Sequence, residues 1–583
     1  MEHRDYNYYE AHEATIDLGD ITSSAKNANT LQRLRDGDDK LRHLSLGREW
    51  DKFNVDEDDD MGWLGYFIGK SVCLQGLHIN YLPDGEEGHA FAEGIAHNQS
   101  LRNIDINNLS NYGFTSVMRA LRSLSQLEGL TIWPHENVDP DGWSELGTLL
   151  ESGVCKLEHL HLSGNTYIGN AGMGVLSNGL RNVGSSLIGL TLYHNSIGNE
   201  GLSTFVEALQ TCTSLETLAI SNNDFSSGMG VLSNGLRAIR SSLNALALNA
   251  NFIGNEGLST LVEALANCTG LQILSLSYNN FSSATAGLGS LSDWLQSDEV
   301  NLNELDVQYC GINDGGLHAL EGGAAIQCRD LNLQGNESIT TLGLSYLSNS
   351  IRSNSCRVEF LVLKGIPIGD DAMEVLAQGL VGNQSLIGLY LDDFGDDISV
   401  TSARWVAFSR ALCDTSSVNN TYLSNHTICE VFPEDVPQDI SRYLQLHDKH
   451  PQYAARCKIL MKHRHLDMTP LLHWGLKFLP LAVAWLERAK PCTSLTIEDY
   501  DSSLRRRVLE ESDEAFESRE LTAMYEFIRG MPMEVMKSRS GLAVAAAYDK
   551  KISRIEEENK IALEQRDRKI EQLEEEIMRL RRL

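Results

Sequence analysis

Residues 172–227 and 228–283 repeat one another, and the two 56-residue copies agree at 37 positions. A chain with this internal period stacks its units side by side, because one unit cannot bury its apolar side alone. Each copy holds two segments of the form LxxLxLxx, in which the leucines alternate as they do in a strand with one buried face. Five further positions in each segment should face outward. Nine of those ten differ between the copies: Ile188/Asn244, Gly189/Ala245, Thr191/Ala247, Tyr193/Asn249, His194/Ala250, Glu216/Gln272, Thr217/Ile273, Ala219/Ser275 and Asn222/Tyr278, with only Ser221/Ser277 alike. The other 46 positions hold ten differences. Drift of every exposed residue should also have altered the helical side, where GMGVLSNGLR, IGNEGLST and VEAL recur unchanged. A strand face that changes while its scaffold does not implies an extended concave surface that holds other macromolecules.

The pattern extends well beyond the duplication. Thirteen segments start at Leu41, Leu74, Leu101, Leu127, Leu157, Leu187, Leu215, Leu243, Leu271, Leu302, Cys328, Val358 and Leu386, and a degenerate fourteenth falls near Val418. Most spacings lie between 26 and 31 residues, the range in which each repeat pairs a strand with a full helix. In IGNEGLSTLVEALANC, Leu258, Leu261, Val262 and Leu265 share one helical face. The expected fold class is therefore an α/β solenoid. An asparagine follows many of the strands, at Asn165, Asn195, Asn223, Asn251, Asn279 and Asn336, with Cys310 in the same place. Side chains there can satisfy backbone groups left unpaired as the chain leaves the sheet, so this ladder reads as structural.

The 28-residue period, the LxxLxLxxNxIG core and the alternation of two unit types resemble the ribonuclease-inhibitor-like class of leucine-rich repeats, over roughly 41–429. The resemblance implies a horseshoe and a function in binding proteins. Members of that class include an inhibitor that captures ribonucleases, a GTPase-activating protein for a small GTPase, and NOD-like receptors that carry such arrays as regulatory ends. The sequence from ARCKILMKHRHLDM to LAVAWLERA, with the later LTAMYEFIRGMP, resembles the tails of leucine-rich-repeat proteins encoded in microalgal genomes, a likeness that implies no activity.

The expected organisation is an N-terminal arm at 1–40, partly disordered, a repeat domain at 41–430, an α-helical module at 431–540 and a coiled-coil helix at 541–583. The coiled-coil seam is Leu563, Ile570, Leu573, Ile577 and Leu580, which together with Arg566 are spaced alternately by three and four. It extends back through Arg566, Asn559 and Ile552, and would join two copies or pair with another helix. The stretch 471–486 is apolar but too short to span a bilayer, and Lys477 and Pro480 interrupt it.

A formal charge of −32 argues against nucleic acid and anionic membranes as partners, and favours a basic or neutral protein. The N-terminus lacks the basic start and apolar core of a secretory signal, so a cytoplasmic or nuclear location follows. Eleven cysteines, several at equivalent repeat positions such as Cys212 and Cys268, read as reduced core residues.

No reaction centre is expected, and neither cofactor nor metal. GYFIGKS at 65–71 has the wrong glycine spacing for a phosphate-binding loop. The acidic run 56–60 lacks the alternating ligands of a calcium loop. Cys457, His463, His465 and His473 match no zinc spacing. The candidate binding residues are aromatics just past the strand leucines, Trp133, Tyr193, His194, Tyr278, Tyr309 and Tyr390, with acidic neighbours Glu304, Asp306, Asp330, Asp392 and Asp393. The chain thus reads as a non-catalytic scaffold that recognises a protein on its strand face. Rival readings are regulation of a small GTPase and inhibition of a ribonuclease.

Overall fold

The computed structural model describes residues 4–47, 53–55, 59–133, 138–282, 285–297, 299–323, 327–353, 355–391, 403–416, 418–432, 436–449, 454–455 and 458. Fifteen strands form one sheet in nearly sequential order, and every pairing with an assigned register is parallel. The thirteen strands expected from the leucine pattern are present, from His43–Gly47 to Gly388–Tyr390. From Met61–Lys70 to Thr341–Ile351, the helix of each repeat packs on the helix of the next. The leucines between the two layers are essentially excluded from water, as at Leu190, Leu218, Leu246, Leu274 and Leu305. This apolar layer supplies the main driving force for the stack.

Two strands had no leucine signature. Phe53–Asn54 pairs with the strand His43–Gly47 and lies at the sheet edge, so the chain doubles back before the third strand. At the other end the degenerate repeat sits later than its sequence suggests. Val418–Leu423 is a helix, and the last strand is Glu430–Phe432. The sheet continues there because the Leu391 N–H donates to the Phe432 carbonyl at 2.9 Å.

Within the expected N-terminal arm the described residues form helices at Tyr6–His12, Leu18–Ile21 and Ala25–Arg35. Asp5, Asp17 and Ser24 cap these helices by accepting backbone N–H bonds. Their aromatic residues close the apolar end of the stack. Tyr9 meets Trp63 edge to face at 5.1 Å, and Tyr66 donates to Glu13 at 2.8 Å. The helix Met61–Lys70 is consequently buried over nearly its whole circumference. GYFIGKS lies almost entirely within that helix, so it has no loop to cradle a phosphate.

The chain groups into two compact units. The first contains the repeats up to Gly379, together with Ser385–Thr401 and Phe432–Glu434. The second gathers Leu380–Gln384, Ser402–Val431 and the chain from Asp435 onward. Its described part includes helices Ala403–Leu412, Val418–Leu423 and Gln438–Lys449. Asn425 ties it internally, donating to the carbonyls of Leu380 and Asn383 at 3.2 Å each. The buried Lys458 donates to the carbonyls of Leu412 and Asn425 at 2.5 and 2.6 Å. The rest of the expected helical module and the seam Leu563, Ile570, Leu573, Ile577 and Leu580 lie outside the described residues.

Candidate recognition surface

The site is built on the asparagine ladder. Asn195 accepts the Asn165 N–H at 3.0 Å through Oδ1, and its Nδ2 donates to the Leu162 carbonyl at 3.0 Å. Asn223 does the same one repeat later, for the Asn195 N–H at 3.1 Å and the Leu192 carbonyl at 2.8 Å. Asn251 and Asn279 continue the series. At Cys310 the thiol donates to the Leu276 carbonyl at 3.2 Å, and Asn336 accepts the Cys310 N–H at 3.1 Å. The ladder fixes where each turn leaves the sheet, and so fixes the side chains carried by that turn.

Those turns have a left-handed residue immediately before the ladder position. His194, Asn222, Ala250, Tyr278 and Tyr309 all have φ between +52° and +57°, and Gly335 follows at +70°. Their N–H groups bond laterally, Ala250 to Ser277, Tyr278 to Gln308 and Tyr309 to Gln334, so they form one row across the repeats. A bulky side chain in this region is uncommon and costs on the order of 1 kcal/mol or more. Tyr278 and Tyr309 are nonetheless 57% and 41% exposed, and their rings stack at 4.8 Å and 15°. The Tyr309 hydroxyl accepts from Gln334 Nε2 at 3.1 Å.

Beside this pair, register brings the acidic candidates together. Glu304 lies opposite Asp330, and Asp306 opposite Asn332. Asp306 is held by Ser275 and Ser277 at 3.1 and 2.7 Å and by Gln308. The Glu304 side chain has no hydrogen-bond partner among the described residues, its N–H being bonded to the Gln272 carbonyl, and Asp330 Oδ1 is buried without one. Burial, then Asp306 and Asp330, raise the Glu304 carboxyl above its ordinary range. Burial raises Asp330 as well, with Glu359 adding to it and Arg329 opposing it. Arg329 is itself engaged by Glu359 at 2.7 Å.

The remaining candidates stand apart. Trp133 lies five strands from the tyrosine pair, with its ring 5.4 Å from that of His161. Burial lowers the His161 pKa, while Asp105 opposes the shift. Tyr193 and His194 are three strands away, with His194 Nδ1 2.8 Å from Asn222 Nδ2. Tyr390 stacks at 6.1 Å on Phe432, whose ring also faces Lys364 Nζ at 5.0 Å. Asp392 and Asp393 lie outside the described residues.

Sequence reasoning missed two features. Phe252 is 69% exposed at φ +56°, just past the ladder, although its difference from Ser196 in the other copy already marked it. Ser221 and Ser277, expected to face outward, are 4% and 2% exposed. Ser221 accepts the Asn249 N–H at 3.0 Å, and Ser277 donates to Asp306. The one strand-face position that the duplication leaves unchanged is therefore the buried one.

The family profile described as "Leucine Rich repeat" matches residues 155–177 and 300–320. The mouse ribonuclease inhibitor is 27% identical over 282 residues, which cover 42% of this chain and 61% of the inhibitor. The chain is similar to ribonuclease-inhibitor-like leucine-rich-repeat proteins. The mouse protein named NACHT, LRR and PYD domains-containing protein 14 is 30% identical to it over 271 residues, covering 45% of this chain and 26% of that protein. This leucine-rich-repeat chain thus spans about a quarter of that relative and 61% of the inhibitor. A chain in the crystal structure of the Rad7 and Elc1 complex in yeast aligns with a TM-score of 0.39 and 17% identity, over 68% of this chain and 90% of that one. Among the described residues of the leucine-rich-repeat protein, no helix is long and apolar enough to cross a membrane.

Proposed function

We propose that the protein is a non-catalytic scaffold that recognises a basic or neutral protein on the strand face of its repeats. The supporting observation is where the two copies diverge. Nine of the ten strand-face positions differ, all at exposed or half-buried residues, and the one unchanged position there is buried and bonded into the scaffold. Exposed tyrosines held in a costly backbone conformation add to this, because aromatic anchors dominate binding energy at protein interfaces. The seam Leu563, Ile570, Leu573, Ile577 and Leu580 would add self-association, which raises avidity if two faces reach one assembly.

The test is affinity capture from native lysate with the wild type and with a Tyr193→Ala, Tyr278→Ala, Tyr309→Ala, Tyr390→Ala variant, both checked for folding by circular dichroism. A partner retained by the wild type and lost with the variant supports the reading. Equal recovery with both baits overturns it. Similarity to ribonuclease inhibitor favours ribonuclease inhibition as a second reading. That reading predicts that the protein slows a purified pancreatic-type ribonuclease at near-stoichiometric ratio.

A further inference from the structure

We propose that the strand face docks an extended, arginine-bearing segment of the partner. One guanidinium stacks on the open face of Tyr278 above Ala250, and another enters between Glu304 and Asp330. This deepens the scaffold reading and depends on it.

Between Gly164 and Gly365 the row of left-handed turn residues runs His194, Asn222, Ala250, Tyr278, Tyr309, Gly335. On either side of Ala250 the row is filled. His194 and Asn222 engage each other, and Tyr309 is covered by Tyr278 on one side and lies against Gly335 on the other. Between them Ala250 ends at its β carbon, so the stack stops one repeat short. Strands repeat at ~4.8 Å, close to the 4.8 Å between the tyrosine rings. A planar group above Ala250 would therefore continue the stack as a third layer.

Charge decides which planar group. Two carboxylates, Glu304 and Asp330, lie in register on adjacent strands, and Arg329, the cation that acts on Asp330, bonds Glu359 rather than either of them. Asp306 beside them adds a third negative charge. An arginine is both planar and cationic, and it suits a ring face and a carboxylate pair equally. Glu304 opens the strand Glu304–Asp306, and Tyr309 lies in the turn beyond it, so the two points are separated along the face by the strand and part of its turn. An extended segment can bridge that distance, but one side chain cannot. Ile273, exposed beside Glu304 on the neighbouring strand, offers apolar contact at the carboxylate end.

The test uses the full chain and fluorescein-labelled nona-arginine and nona-lysine, followed by anisotropy. Nona-arginine should bind the wild type at least about threefold tighter than nona-lysine, because only guanidinium stacks well. Ala250→Tyr fills the gap and should remove that preference. Glu304→Gln with Asp330→Asn should weaken both peptides about tenfold. Glu256→Gln with Glu263→Gln, which removes the same charge from the exposed side of the helix Asn255–Leu265, should leave both unchanged. Equal loss in the two charge-removed variants would assign the binding to net charge alone and overturn the proposal. So would equal affinity for the two peptides, or an arginine preference that survives Ala250→Tyr. The lysate experiment can still succeed in each of these cases, so the two failures are distinguishable.

Discussion

The ring of Tyr309 occupies the space that a β carbon on Gly335 would need, and Gly335 itself stands at φ +70°. Gly335→Ala therefore strains the backbone and displaces the ring together. The expected loss in urea unfolding is about 1–2 kcal/mol. Gly153→Ala is the reference, because Gly153 has φ +61° but open space around it, and its cost should be the backbone part alone. Equal losses in the two variants would show that Tyr309 does not depend on Gly335.

Asn251 joins two repeats, accepting the Asn223 N–H at 2.9 Å and donating to the Ile220 carbonyl at 3.0 Å, all out of water. Asn251→Ala leaves the buried Asn223 N–H unpaired and removes one of the two donors to the Ile220 carbonyl, the other being Asn223 Nδ2 at 3.2 Å, and should cost about 1–3 kcal/mol in equilibrium unfolding. Asn251→Cys should cost less, because the Cys310 thiol serves a carbonyl at the equivalent position. A loss under about 0.5 kcal/mol for the alanine variant would mean that neighbouring turns relax to fill the gap.

The repeat layer was legible because its signal is dense. Leucines at fixed offsets specify the strands, and asparagines such as Asn195 and Asn223 announce the turns that they stabilise. The ends were less legible, since capping repeats lose the leucine pattern. Val418–Leu423 therefore looked like a strand and formed a helix, and Phe53–Asn54 gave no sign of pairing. Positive φ is announced by Gly335 or Asn222 but is hidden by Tyr278, Tyr309 and Ala250, whose residue types point elsewhere. The pairing of Glu304 with Asp330 follows once the 26-residue step from Leu302 to Cys328 is aligned, but the lack of partners for both depends on side-chain positions.

Glu304 and Asp330 both titrate above their ordinary range. A carboxyl raised in this way holds its proton more tightly in the folded chain, so its stabilising effect is present at low pH and is lost as pH rises through the raised value. The charged neighbours are Asp306 and, on the adjoining strands, Arg329 and Glu359. Glu304→Gln with Asp330→Asn removes the repulsion. The variant should match the wild type in urea at pH 3.5 and exceed it at pH 7.5. A lower midpoint for the variant at pH 7.5 would refute the crowding of these two carboxylates.

Burial pushes the Cys212 and Cys268 thiols up to about 11 and that of Cys310 up to about 12. Thiolate is the reacting form, so none of the three should be alkylated by N-ethylmaleimide at pH 7.5 while the stack is closed. Cys73 and Cys356 are partly exposed and should react within minutes. Cys212 and Cys268 occupy equivalent sites in the two copies, so any labelling at one but not the other reports local opening in that copy. Peptide mass spectrometry after timed labelling reads each site separately. Labelling of Cys212 and Cys268 at the rate of Cys73 would mean that the duplicated repeats open independently of the rest of the stack.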